Sequence, residues 1–209
     1  MDTKDLDDVY GAKTPQESRT IYNAWSSSYD ADCLSQGFRL PSLAAGLLAR
    51  HLGATDGMVL DACCGTGLVG ETLRLLGYDR ITGCDLSPDM LALAEKTGAY
   101  ARLEEADTSV GLPFDDDAFA GFVCVGAFGP GHAPPVTLEH LARVTRPGGI
   151  GVFNLLDGSF EAQGFPPVMD RLAKSGAWEV IATTPSFRPF LLAEPELLST
   201  AYVVQIGPR

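Results

Sequence analysis

Apolar and polar positions change period repeatedly along this chain, and the changes mark out its elements. Short apolar runs at 58–62, 80–84, 100–105, 119–125 and 149–155 predict strands, and apolar residues three and four apart predict helices over 67–76, 87–97 and 135–145. Strand and helix in alternation imply a mostly parallel sheet covered on both faces. Ahead of the first strand, Pro15 can open a helix through Ile21–Asp30. A second follows from Pro41, with Leu43, Leu47, Leu48 and Leu52 on one face and Gly53 as its stop. The last third predicts a helix near 166–176, a strand at 178–183, a Pro-containing stretch at 184–196 and a final strand at 201–206. Without a helix between them, the two closing strands pair most simply antiparallel.

At 209 residues the chain fits a single α/β domain that follows an acidic, mobile start over residues 1–13. No run approaches the roughly 20 apolar residues that span a bilayer, and the first residues lack the cationic and apolar parts of a signal peptide, so the expected location is cytoplasmic. Of the five cysteines, Cys63, Cys64, Cys84 and Cys124 fall in or beside core strands without metal-ligand spacing. Buried free thiols are expected, with Cys33 as the fifth, and no metal. A formal net charge of −12 opposes nucleic acid and anionic membrane as partners and suits a small or cationic substrate.

The richest local signal is Val59-Leu60-Asp61-Ala62-Cys63-Cys64-Gly65-Thr66-Gly67, a strand running into an acidic residue and a glycine turn, with Asp85 lying 20 residues beyond Gly65. Gly65 to Gly70 also matches the dinucleotide pattern Gly-x-Gly-x-x-Gly, which makes a nicotinamide enzyme a competitor. In that motif a pyrophosphate sits at the helix N-terminus, where Asp61 would repel it. An acidic residue there suits a cationic ligand without phosphate, and S-adenosylmethionine is one.

Here the chain resembles the class I S-adenosylmethionine-dependent methyltransferases, whose first motif Asp-x-x-Cys-Gly-Thr-Gly is met by Asp61 to Gly67. Ile81–Leu91, Glu105–Thr108 with Leu112-Pro113-Phe114, Phe119–Val125 and Leu141–Gly149 resemble its later segments, in the family's order. Tyr22, Trp25, Tyr29-Asp30, Phe38–Pro41 and Gly176–Glu179 are similar to a subgroup that includes the Williams–Beuren-region methyltransferase-like protein. The resemblance implies one Rossmann-like, doubly wound domain over 1–209. Residues 1–53 would be N-terminal helices forming a lid, and 54–209 a seven-stranded sheet, mostly parallel with an antiparallel C-terminal strand.

It also implies a site. Asp61 would hold the methionyl ammonium directly or through water, with Gly65 and Gly67 admitting that part of the cofactor and Arg39 pairing with its carboxylate. Asp85 would take the ribose hydroxyls and Asp107 the adenine amino group. Cys63, Leu86, Met90, Thr108 and Val125 would flank the adenosine, and Tyr22 and Trp25 would close over it. Other roles stay open for several of these: helix packing for Tyr22, Trp25 and Tyr29, a surface charge for Arg39, a turn acceptor for Asp107 and a helix cap for Asp85.

Ligands of open parallel sheets lie beyond the carboxyl ends of the strands, which directs attention to Gly126–His132 after the fourth strand. His132 is the candidate catalytic base, or alternatively a substrate contact or helix cap; His51 and His140 are expected at the surface. Phe128, Phe165, Phe187 and Phe190 either wall an apolar pocket or plug the core. No Asn/Asp-Pro-Pro-Tyr element follows the fourth strand, which disfavours nucleic-acid and peptide-amide methylation. The expected activity is methyl transfer from S-adenosylmethionine to a small-molecule acceptor, leaving S-adenosylhomocysteine; the alternative is a non-catalytic cofactor-binding partner subunit.

Overall fold

The computed structural model describes residues 11–12, 14–129, 132–158 and 160–208. The expected acidic start therefore lies mostly outside the described residues, as do Pro130 and Gly131 of the loop after the fourth strand. Helix α1 (Pro15–Ser35) is opened by Thr14, whose hydroxyl accepts from the Glu17 N–H at 3.2 Å, and by Pro15 at its first position. Gly37 ends it at φ +72°. Helix α2 (Leu40–His51) follows. Its buried face runs through Ala44, Ala45 and Leu48 rather than through Leu43 and Leu47, because alanines let the helix approach the sheet where leucines would hold it off.

The sheet comprises β1 (Val59–Ala62), β2 (Ile81–Asp85), β3 (Arg102–Glu105), β4 (Phe119–Cys124), β5 (Thr145–Leu156), β6 (Trp178–Thr183) and β7 (Ser199–Ile206). Helices α3 (Leu68–Leu75), α4 (Pro88–Lys96), α5 (Thr137–Val144) and α6 (Phe165–Lys174) connect them. The order is β3-β2-β1-β4-β5-β7-β6. Strands β1 to β5 pair in parallel, while β7 runs antiparallel to both β5 and β6, as a closing pair without a crossover helix requires. Strand β5 starts at Thr145, earlier than its apolar run, because Phe119 pairs with Thr145 and the register shifts before Gly121 meets Ile150.

Alternation along the central strands divides the core in two. Leu60, Phe122 and Phe153 face α5 and α6, meeting Leu138, Leu141, Phe165 and Leu172. Val59, Val123 and Val152 face α2 and α3, meeting Ala45, Leu48 and Leu73. A satellite cluster of Trp25, Cys33 and Phe190 lies under α1. All five cysteines are free, and Cys33, Cys64, Cys84 and Cys124 are buried. Burial raises all four thiols, Cys33 to about 12, although for Cys124 the neighbouring Cys63 thiol is the larger influence. Among the described residues no helix is long and apolar enough to cross a membrane.

One polar contact is built into this core. Asp61, on β1, is 1% exposed, and its carboxylate accepts from the Tyr100 hydroxyl at 2.6 Å. Tyr100 reaches it through space that three glycines leave open. A Cβ at Gly70 would stand 2.3 Å from the Tyr100 ring, one at Gly83 2.9 Å and one at Gly67 3.1 Å. Two of the glycines in the Gly-x-Gly-x-x-Gly run thus make room for a tyrosine.

Burial pushes the Asp61 carboxyl up to about 7, with the Tyr100 hydrogen bond opposing the shift. A carboxyl raised in the folded state gives full stability below its unfolded value of 3.8, and that stability is lost as pH rises through about 7. Asp61→Asn, which does not ionise and still accepts from Tyr100, should gain on wild type from about pH 4 upward and level off above about pH 7. The plateau should be near 4 kcal/mol, at about 1.4 kcal/mol per pH unit. Denaturant titrations between pH 4 and 8 measure it; a difference independent of pH would mean that Asp61 is already ionised in the fold.

Candidate active site

The carboxyl ends of β1, β2 and β4 open on a cleft of about 130 Å³. After β1 the chain turns through Cys63 at φ +55° and Gly65 at φ +54° before Gly67, at φ +103°, starts α3. At Gly65 a Cβ would meet nothing within 4 Å, so this residue borders open space. The turn is fixed from the next strand: Asp85 Oδ2 accepts from the Gly65 N–H at 2.9 Å and Oδ1 from the Ser87 N–H at 2.9 Å. Helix α4 is capped by Ser87, whose hydroxyl accepts from the Met90 N–H at 3.1 Å, so Asp85 faces the cleft without serving as the cap. Burial raises the Asp85 carboxyl, and hydrogen bonds from Ser87, Gly65 and Leu86 oppose the rise.

Beside Asp85 the cleft wall continues through Leu86, Met90, Asp107, Thr108 and Val125, and Cys63 forms its floor with the Thr108 hydroxyl 4.0 Å from its sulfur. Asp107 is a turn acceptor, taking the Ser109 N–H at 2.8 Å, and still lines the cleft. The Thr108 carbonyl accepts from Thr137 at 3.1 Å and lies 2.9 Å from His140 Nδ1, which gives His140 a structural contact in place of the expected surface position.

Helix α1 crosses the mouth. Asn23 Oδ1 accepts from the Ser87 hydroxyl at 2.5 Å, Asp30 Oδ1 accepts from the Thr66 hydroxyl at 2.5 Å, and Arg19 pairs with Glu105 at 2.6 Å. On the far side Tyr22 and His132 share a hydrogen bond, with Oη 2.8 Å from Nε2. Arg19, Asn23 and Asp30 were not among the expected site residues. Their separations of four and seven place them on one helical face, and that polar stripe is the signal that would have found them.

Four expected residues lie outside the cleft wall. Asp61 is turned to Tyr100 behind the turn, because a buried carboxyl needs a donor. Gly67 serves the backbone and the Tyr100 ring. Arg39 donates to the Arg188 carbonyl at 2.8 Å and stands 5.3 Å from the centre of the Phe187 ring, so the expected carboxylate pairing gives way to a link with the segment before β7. Trp25 is buried, donating its indole N–H to Asp32 at 2.8 Å.

Trp25 instead lines a second cavity of about 70 Å³, which shares Tyr22, Tyr29, Phe38, Gly126 and His132 with the cleft. Phe128 and Phe190 also line it, whereas Phe165 plugs the core and Phe187 stacks with Arg39. Among the described residues no cluster of His, Cys, Asp and Glu is placed to hold a metal.

These features fit S-adenosylmethionine. Gly65 leaves room for close approach, the half-buried Asp85 carboxyl faces the cleft, and the one Lys or Arg on the described wall, Arg19, is already paired. A phosphate-bearing dinucleotide would find no counter-charge there.

Known proteins agree. Residues 59–149 match a methyltransferase domain family. The chain is 33% identical over 171 residues to human methyltransferase-like protein 27, covering 79% of this chain and 69% of that one. It is also 33% identical over 145 residues to a ubiquinone/menaquinone biosynthesis C-methyltransferase of Bdellovibrio bacteriovorus, covering 65% and 60%. Magnesium protoporphyrin IX methyltransferase from Synechocystis PCC 6803, solved with bound S-adenosylmethionine, shares the fold at a TM-score of 0.63 and 14% identity, covering 83% of this chain and 81% of that one. With relatives named as methyltransferases, the alternative of a non-catalytic subunit is left without support. A relative matched over more than two thirds of its length, and a glycine turn braced by the acid of the next strand, make this chain a member of the class I S-adenosylmethionine-dependent methyltransferases.

Proposed function

We propose that this methyltransferase acts on a small-molecule acceptor, which meets the cofactor at the wall shared by the two cavities, with Tyr22 and His132 receiving the acceptor's proton. The observation that carries the proposal is the 2.8 Å Tyr22–His132 contact, standing where the cleft joins a small aromatic cavity. A relative named for ubiquinone/menaquinone biosynthesis supports a small acceptor, and the net charge of −12 weighs against nucleic acid. Five free cysteines suit a reducing compartment such as the cytoplasm.

When bound, S-adenosylmethionine supplies an electrophilic methyl group on a sulfonium. Asp85 would accept from the ribose hydroxyls and Asp107 from the adenine amino group, while Leu86, Met90, Thr108, Val125 and Cys63 give the adenosine its surroundings. Gly65 gives the methionyl part its room. Helix α1 roofs the cleft and excludes water, acting as a lid. Methyl transfer needs the acceptor atom about 3–3.5 Å from the methyl carbon and in line, so most of the catalytic work is positioning.

Loss of the Asp85 carboxylate removes charge-assisted hydrogen bonds worth about 1.5–3 kcal/mol each. Asp85→Ala should therefore weaken S-adenosylmethionine binding by about 100-fold or more in calorimetry, and unchanged affinity in a folded variant would remove Asp85 from the site. Hydrogen exchange tests the lid: the cofactor should slow exchange across residues 15–35 more than across α5. Equal protection with and without cofactor would leave α1 a packing element only. His132→Ala should lower turnover by about 10²–10⁴-fold while leaving cofactor affinity nearly intact. Undiminished turnover of that variant across pH 6–9 would exclude His132 as the base.

A further inference from the structure

The second cavity has a wall whose chemistry is restrictive. Its described lining contains no Lys, Arg, Asp or Glu. Aromatic side chains dominate it: Phe38 and Phe190 stack with centroids 4.9 Å apart, and Trp25 meets Tyr29 edge-on at 4.8 Å. Most polar groups on it are engaged within the protein. The Asn154 side chain accepts from the Gly126 N–H and donates to the Ser199 hydroxyl, both at 2.8 Å, and the Trp25 indole donates to Asp32. The Tyr22–His132 pair, in contrast, stands on the boundary with the cofactor cleft.

Building on the methyltransferase mechanism above, we infer that this cavity is the acceptor site and that it takes a neutral, single-ring phenol, with the ring among Trp25, Phe38 and Phe190 and the hydroxyl at Tyr22–His132. A charged ring would be buried without a Lys, Arg, Asp or Glu to pair with. An ammonium finds no carboxylate on the wall, and a carboxylate finds no guanidinium or lysine ammonium there, since Arg39 is held on the Arg188 carbonyl outside it and the His132 ring is engaged by Tyr22. A flat apolar ring gains the offset and edge-on contacts that aromatic walls offer. Room of about 70 Å³ is less than a whole ring fills, so even a single ring would sit partly across the wall that the cavity shares with the cleft, and a second ring would have no room.

In the transfer, the acceptor's O–H bond breaks and an O–CH₃ bond forms. The proton passes to the Tyr22–His132 pair and from the resulting imidazolium to water. The electron pair of the broken sulfur–methyl bond stays on sulfur as the thioether of S-adenosylhomocysteine.

Trp25 provides a readout independent of turnover. The chain has two tryptophans, and the other, Trp178, is buried against Phe153 on the opposite side of the sheet from α2 and α3. Protein saturated with S-adenosylhomocysteine should show saturable quenching of its emission by p-cresol, with affinity at least tenfold tighter than for benzylamine or benzoate, and Trp25→Phe should abolish the response. Filling the cavity with Leu197→Phe, or independently with Leu156→Phe, should weaken p-cresol binding about tenfold or more and leave calorimetric S-adenosylmethionine affinity unchanged. Equal or tighter binding of either charged ring, or p-cresol affinity indifferent to both filled variants, would overturn the acceptor class while the methyltransferase assignment stands. Wild-type protein that does not bind S-adenosylmethionine would overturn the cofactor cleft itself, and the acceptor site with it.

Discussion

The buried hydrogen bond from Tyr100 to Asp61 is the contact around which the cofactor turn is arranged. A carboxyl near the end of β1 cannot be left without a donor in the core, and Tyr100 reaches it only because Gly67, Gly70 and Gly83 carry no side chains. That brings α3 and β2 close behind the turn. Asp85 then completes the brace from the front, through the Gly65 and Ser87 N–H groups. The open edge at Gly65 therefore follows from a tyrosine packed on the far side.

Much of this fold is legible from period alone, because β1 and β4 are buried on both faces and their apolar runs are short and sharply bounded. The antiparallel closing pair is legible as well, from the absence of a crossover helix. The buried face of α2 is harder to read: leucine periodicity points to Leu43 and Leu47, yet close approach to the sheet selects Ala44 and Ala45. The start of β5 is similarly hidden, since Arg146 to Gly149 reads as a turn and is the irregular stretch between the Phe119–Thr145 and Gly121–Ile150 pairs with β4.

Residues of the cleft that belong to contiguous motifs, such as Asp85, Leu86, Met90, Asp107 and Thr108, could be placed from order and spacing. Those whose position depends on long-range pairing could not. Tyr22 and His132 meet across 110 residues of sequence, and Arg39 is drawn to the segment before β7 by a carbonyl 149 residues away. The helical spacing of Asn23 and Asp30 marks a polar stripe, but no local pattern names Ser87 and Thr66 as the donors they meet. A charged residue near a motif is a candidate ligand in sequence, whereas in the fold it goes to the nearest unsatisfied polar group.

Helix α1 touches the glycine turn, the end of β2, the edge strand β3 and the loop after β4, in each case through a polar side chain. Thr66 and Ser87 are buried and Asn23 and Asp30 half-buried, yet none of these bonds belongs to a strand ladder, so they can break one at a time without disturbing the sheet. In the lid proposed above, the release of whatever lies beneath would wait on the helix, while the cleft would supply most of the contacts that hold it. A polar substitution on α1 would then change how fast the product leaves through a residue that need not touch it, so dwell time would have a handle of its own, apart from the residues of the cleft.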